Sequence, residues 1–112
     1  MLAVFKQFCT ETVTIEPFTG RNQKGSAEFG DATSHKARVE PFHAQVPTGD
    51  GKFVQASTRF FIDPLSVDGE STLSDIAPED RIAHGGRTPR ILSVDKQHNI
   101  AGGLHHFEVV CG

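Results

Sequence analysis

The stretch at residues 75–94 constrains the fold more than any other part of the sequence. Its residues 77–80, Ala-Pro-Glu-Asp, are typical of a type I turn, because proline fixes φ and aspartate can accept hydrogen bonds from nearby backbone amides. We expect Arg81–Ala83 to form a short strand and residues 84–86 to reverse the chain, since glycine reaches positive φ at little cost. Residues 87–94 are then predicted to return as the partner strand. This arrangement favours a small, tightly curved barrel.

Alternation of apolar and polar residues predicts four further strands, at 10–18, 33–42, 54–62 and 104–111. The residues predicted to share the apolar face of each strand are Val13, Ile15, Ala37, Val39, Val54, Ala56, Thr58, Phe60, Ile62, Phe107 and Val109. About six strands at short spacing favour an all-β, single-domain β-barrel of short antiparallel strands, with a sandwich as the alternative.

Segments rich in polar residues, glycine and proline are predicted as connections. Residues 19–30 are expected to form a broad loop or a loose hairpin tip, 63–74 a polar linker and 95–103 another loop. The long loop between strands two and three is longer than a hairpin requires, and such loops are usually functional or mobile. Its residues are His43, Ala44, Gln45, Val46, Pro47, Thr48, Gly49, Asp50, Gly51, Lys52 and Phe53.

Length and charge limit the classes of function. A chain of 112 residues can bury roughly 60 to 70 per cent of its unfolded surface in one core, without a metal or disulfide. We divide it into an apolar arm at 1–9, either a helical turn or a segment packing on a neighbour, and a domain at 10–112. The net charge of −3 argues against unaided binding to a polyanion. The sequence contains no apolar run long enough for a transmembrane helix. The amino terminus lacks the pattern of a secretory signal.

Residue chemistry alone points to no active site, no cofactor and no metal. His98 lies seven residues before His105. His105 and His106 are neighbours in a strand, so they would face opposite ways and could not share one ion unless a bulge intervened. Cytosolic Cys9 and Cys111 are expected to be free thiols, although the termini of a barrel often meet and a disulfide is conceivable. Phe61 falls on a polar face, where it is either a contact for another subunit or an ordinary surface aromatic.

The order of elements resembles the head-closure, or head-tail joining, proteins of long-tailed bacteriophages, also called stoppers or minor head-tail connector proteins. The resemblance covers roughly residues 10 to 111. The segments that carry it are 12–20 (Thr-Val-Thr-Ile-Glu-Pro-Phe-Thr-Gly) with Gly25 and Phe29-Gly30, 36–40 (Lys-Ala-Arg-Val-Glu), 76–82 (Ile-Ala-Pro-Glu-Asp-Arg-Ile), 86–94 (Gly-Arg-Thr-Pro-Arg-Ile-Leu-Ser-Val) and 106–109 (His-Phe-Glu-Val).

This resemblance implies a non-enzymatic structural protein of the virion, made in the host cytoplasm and located at the head-tail interface, or neck. It implies a homo-oligomeric ring under the portal or adaptor ring that closes the DNA-filled head and docks a tail-completion or tail-tube protein. The loop at 43–53 resembles the loop that projects into the channel, either touching packaged DNA or narrowing the bore. The alternatives are a tail-completion or tail-terminator protein, a small oligonucleotide-binding barrel, and a metal-dependent enzyme using the three histidines.

Overall fold

The computed structural model describes residues 8–47 and 49–112 and confirms an all-β domain, in which a six-stranded antiparallel sheet curls into a half-barrel. The strands run in the order β6-β1-β4-β5-β8-β7, and β2 and β3 pair as a separate hairpin. Most of the arm predicted at 1–9, and Thr48, lie outside the described residues. The strand bounds are β1 Glu11–Glu16, β2 Phe18–Arg21, β3 Ala27–Phe29, β4 Thr33–Pro47, β5 Phe53–Ser66, β6 Arg81–Ala83, β7 Ile91–His98 and β8 Leu104–Cys111.

The core lies on the concave side of the sheet, where the predicted apolar faces of the strands meet. Burying one such aliphatic or aromatic side chain contributes about 1.5–3 kcal/mol, so these residues account for much of the stability. The core cluster comprises Val13, Ile15, Ala37, Phe60, Ile62, Ile76, Ile82, Ile91, Phe107, Val109 and Cys111.

The turn predicted at 77–80 is present, and Asp80 organises it. The Asp80 amide donates to the Ala77 carbonyl over 3.0 Å. Its carboxylate accepts the Ala77 amide at one oxygen and the Phe18 amide at the other, each over 2.8 Å. The short strand β6 follows as predicted and buries Ile82. The turn is thereby tied to the chain between β1 and β2.

The prediction that residues 87–94 pair with β6 is wrong. β6 pairs with β1 at one edge of the sheet, whereas β7 starts at Ile91 and pairs with β8 at the other edge. A bridge between His84 and Arg87 closes the glycine turn, after which Pro89 has no N–H to continue a ladder. Arg90 instead exchanges two backbone hydrogen bonds with Gly112, of 3.0 and 2.9 Å. The chain therefore crosses from one sheet edge to the other.

Three segments predicted as connections contain more strand than expected. The segment at 19–30 is a hairpin, the second of the two predicted alternatives. Residues 63–66 belong to β5, where Asp63 is buried, and residues 95–98 belong to β7. These stretches are polar, so their sequence does not predict strands. Strands form there because neighbouring strands supply backbone hydrogen-bond partners. The fourth segment, at 43–53, bears on function and is described below.

Across residues 8–47 and 49–112, no helix has both the length and the apolar character needed to cross a membrane.

Candidate assembly surface

The segment predicted as a loop at 43–53 is instead mostly the outer end of a long β-hairpin. β4 continues to Pro47 and β5 begins at Phe53. We call residues 43–57 the arm, which is distinct from the amino-terminal segment predicted at 1–9. The register of β1 with β4 runs from Thr33 to Ala37, and that of β8 with β5 ends at Thr58, so the arm extends beyond the neighbouring strands of the sheet. Backbone pairing between its two strands, rather than a flexible loop, gives this segment its shape.

A β-bulge determines which side chains the arm presents on each face. Pro41 is opposite Thr58 but Ala44 is opposite Ala56, so β4 holds one extra residue between these pairs. Beyond the bulge, the inward-facing positions of β4 change from odd to even numbers. Ala44 and Val46 are half-buried on the concave side, whereas Gln45 between them is exposed. The arm therefore continues the apolar face of the core outward.

The described part of the arm's tip combines one acid, one base and one exposed aromatic ring. The Asp50 carboxylate accepts the Lys52 amide over 3.2 Å, and Gly51 takes a φ of 82° that favours glycine. The side chain of Phe53 is 64% exposed. This composition suits an apolar contact better than it suits gripping phosphates.

The predicted contact residue Phe61 lies half-buried on the outer, convex face of the sheet. The guanidinium of Arg59 stacks between two rings, 4.7 Å from the centre of Phe42 and 5.1 Å from that of Phe61. Its Nε donates to the Glu40 carboxylate over 2.9 Å. The ring of His106 lies on the other side of Phe61, 6.0 Å between centroids. Phe61 thus has partners within its own chain, and a role as subunit contact stays a prediction.

A second bulge brings His105 and His106 together. Gln97 is opposite His106 but His98 is opposite Leu104, so His105 is the extra residue of β8. The Nδ1 atoms of the two rings lie 2.7 Å apart, and the ring centroids 5.0 Å apart. This separation is that of a hydrogen bond shared by the two nitrogens.

The electrostatics also favour a neutral ring at His106. Burial lowers the pKa of His106, and the adjacent His105 lowers it further, whereas Glu108 acts in the opposite direction. In the part of the chain that the structure describes, no group of three or more His, Cys, Asp or Glu side chains could hold a metal ion.

Cys9 and Cys111 are both free and buried. Burial raises the pKa of the Cys111 thiol to about 12. Burial also raises the pKa of Cys9, with a further contribution from Asp63 and an opposing one from Arg38. Because the thiolate is the nucleophilic form, both side chains behave as small apolar groups at neutral pH.

Comparison with known proteins supports the fold. No protein-family model matches the sequence, and no curated protein gives a significant match. Among solved structures, the chain is similar to a protein chain in the "Virion of native gene transfer agent (GTA) particle", with a TM-score of 0.50 and 20% sequence identity. The match covers 91% of this chain and 91% of that one. The two chains share a fold.

Proposed function

We propose that this chain is a non-enzymatic structural protein of a phage-like particle, located at the head-tail interface. The observation that carries the proposal is the fold shared with a chain of a gene transfer agent virion over nine-tenths of both lengths. That particle is phage-like. The order of strands and turns along the sequence, which resembles head-closure proteins, supports the neck as the position within the particle.

In this proposal the chain forms a homo-oligomeric ring under the portal or adaptor ring, closes the DNA-filled head and docks the tail. The free sheet edges, β6 and β7, lie at opposite ends of the strand order, so each copy offers two different edges to its neighbours. Such heterologous contacts close into a ring when the rotation allows. The arm projects from the domain with an apolar face and no cluster of basic residues, which suits a segment that narrows a channel without gripping DNA.

Electron microscopy and DNA analysis of particles assembled without this protein test the proposal. We expect full-length tails beside heads that have lost their DNA. Stable, DNA-filled heads with unfinished tails would instead support the alternative of a tail-completion or tail-terminator protein. Normal particles would overturn the structural role altogether.

A further inference from the structure

A groove of about 540 Å³ opens at the end of the half-barrel from which the arm extends. Its apolar surface comes from Val39, Phe60 and Pro89, and Thr58 adds a hydroxyl. The glycine turn and the crossing segment at 84–89 form the opposite wall. The groove therefore lies between the sheet and the segment that connects its two edges.

Contacts within the chain hold both walls in place. The Nε2 atom of His84 lies 2.8 Å from a carboxylate oxygen of Glu11, and its ring packs edge-on against Phe60 at 5.6 Å. At the far end, the two backbone hydrogen bonds between Arg90 and Gly112 anchor the crossing segment. The groove is thus already formed in the isolated chain, which lowers the cost of ordering it on binding.

Apart from the contact between His84 and Glu11, the groove carries arginine charge that no described carboxylate contacts. Three other arginines of the domain form ion pairs with glutamates: Arg38, Arg59 and Arg81. Arg87, which lines the groove, and its neighbour Arg90 are exposed, and within residues 8–47 and 49–112 no carboxylate lies within 4.0 Å of either guanidinium. An apolar surface with a cationic rim is complementary to a carboxylate placed beside apolar side chains.

The strand beside the groove is suited to an extended partner. β4 continues from Ala37, the last residue in register with β1, through Val39 at the groove and on to Pro47 in the arm. Within residues 8–47 and 49–112, no strand pairs with this side of β4 beyond Ala37. Such a length of strand can accept a further strand from another chain, with main-chain hydrogen bonds supplying affinity and side-chain pockets supplying specificity.

We propose that this groove binds an extended segment of another protein, in which a carboxylate is flanked by apolar side chains. The carboxylate meets Arg87 and the apolar side chains cover Val39 and Phe60. A polyanion such as DNA is a poorer fit, because it would meet few cations in a chain of net charge −3. A structural role in the particle does not by itself require a binding groove. The groove can therefore be tested in solution, without the particle.

The test is a titration of the ¹⁵N-labelled chain with the capped peptide acetyl-Val-Leu-Asp-Val-Leu-amide, followed by NMR. We expect shifts of the backbone signals of Val39, Thr58, Phe60 and residues 84–88. The same peptide with Asn in place of Asp should bind roughly three- to tenfold more weakly, because it loses a charge-assisted hydrogen bond.

The variant Arg87→Gln should bind the two peptides equally, and the matched control Lys24→Gln, an exposed cation on the turn between β2 and β3, should keep the preference. Equal binding of both peptides to the unmodified chain would overturn the proposal, as would shifts confined to another surface. Two further results would also overturn it: displacement of the peptide by a short DNA duplex, and self-association that fills the groove with a second copy. A negative result of the peptide titration would not bear on the proposed function, which the particle experiment tests separately.

Discussion

Asp80 stabilises the fold out of proportion to its size, because its two carboxylate oxygens accept amides from separate parts of the chain, at Phe18 and Ala77. In Asp80→Ala both amides lose their partner in a partly buried corner. We expect a loss of about 1–3 kcal/mol in the free energy of unfolding, measured by urea denaturation. The neighbouring Glu79→Ala, at an exposed position, should change it by less than about 0.5 kcal/mol. Equal midpoints for both variants would contradict this role.

Cys111 makes stability depend on pH in the alkaline range. Its thiol stays protonated to about pH 12 in the folded chain, because burial raises its pKa, but ionises near pH 8.5 in the unfolded chain. Between these values the unfolded state holds fewer protons, so stability decreases as pH rises. We expect this thiol to cost about 1–2 kcal/mol near pH 10 relative to pH 7.

The check on Cys111 compares the unfolding free energies of the unmodified chain and Cys111→Ala at both pH values. The variant is expected to be less stable at pH 7, because it leaves a cavity in the core, but to lose less on going to pH 10. An identical loss in both proteins would show that this thiol does not titrate on unfolding.

At the scale of the element, sequence patterns predicted strands well where alternation is strict and turn residues mark the ends. β6 and β8 have the predicted bounds, because a proline turn precedes one and glycines precede the other. The arm was missed because the bulge after Pro41 shifts the apolar positions from odd to even, which breaks the alternation. That shift, from Val39 to Ala44 and Val46, is a signal that could have revealed it.

The pairing of β7 could not be derived from local pattern. A glycine turn between two apolar stretches favours a hairpin, yet β7 gains more by pairing with β8, where Val94 is opposite Val109 and Ile91 opposite Cys111 in the core. Choice of sheet edge depends on the whole domain. The groove was missed for the same reason, since the segments at 39, 58–60 and 84–89 are brought together by the topology.

The outer part of the arm, residues 46–54, should be dispensable for folding. Gln45 and Gln55 are opposite each other, so Asn-Gly can replace residues 46–54 as a two-residue hairpin turn. We expect cooperative unfolding with a Tm within about 5 °C of that of the full chain, because the removed side chains lie outside the core cluster. A shortened chain that does not fold would show that the arm is structural.

In the whole molecule, the half-barrel leaves two sheet edges that resist pairing in different ways. β6 is three residues long, and β7 carries the exposed charges Asp95 and Lys96. Short and charged edges discourage uncontrolled strand addition. We therefore expect the isolated chain to be a monomer at micromolar concentration in analytical ultracentrifugation, with ring formation requiring the other components of the particle. A stable ring in dilute solution would contradict this expectation.

The location of the chain in the assembled particle tests the proposed function most directly. Cryo-electron microscopy of purified particles, with their proteins identified by mass spectrometry, would measure it. We predict a ring of density between portal and tail, into which copies of this half-barrel fit with their arms directed toward the channel. Particles that are complete and infectious but contain no copies of the chain, or copies located away from the head-tail joint, would contradict the proposal.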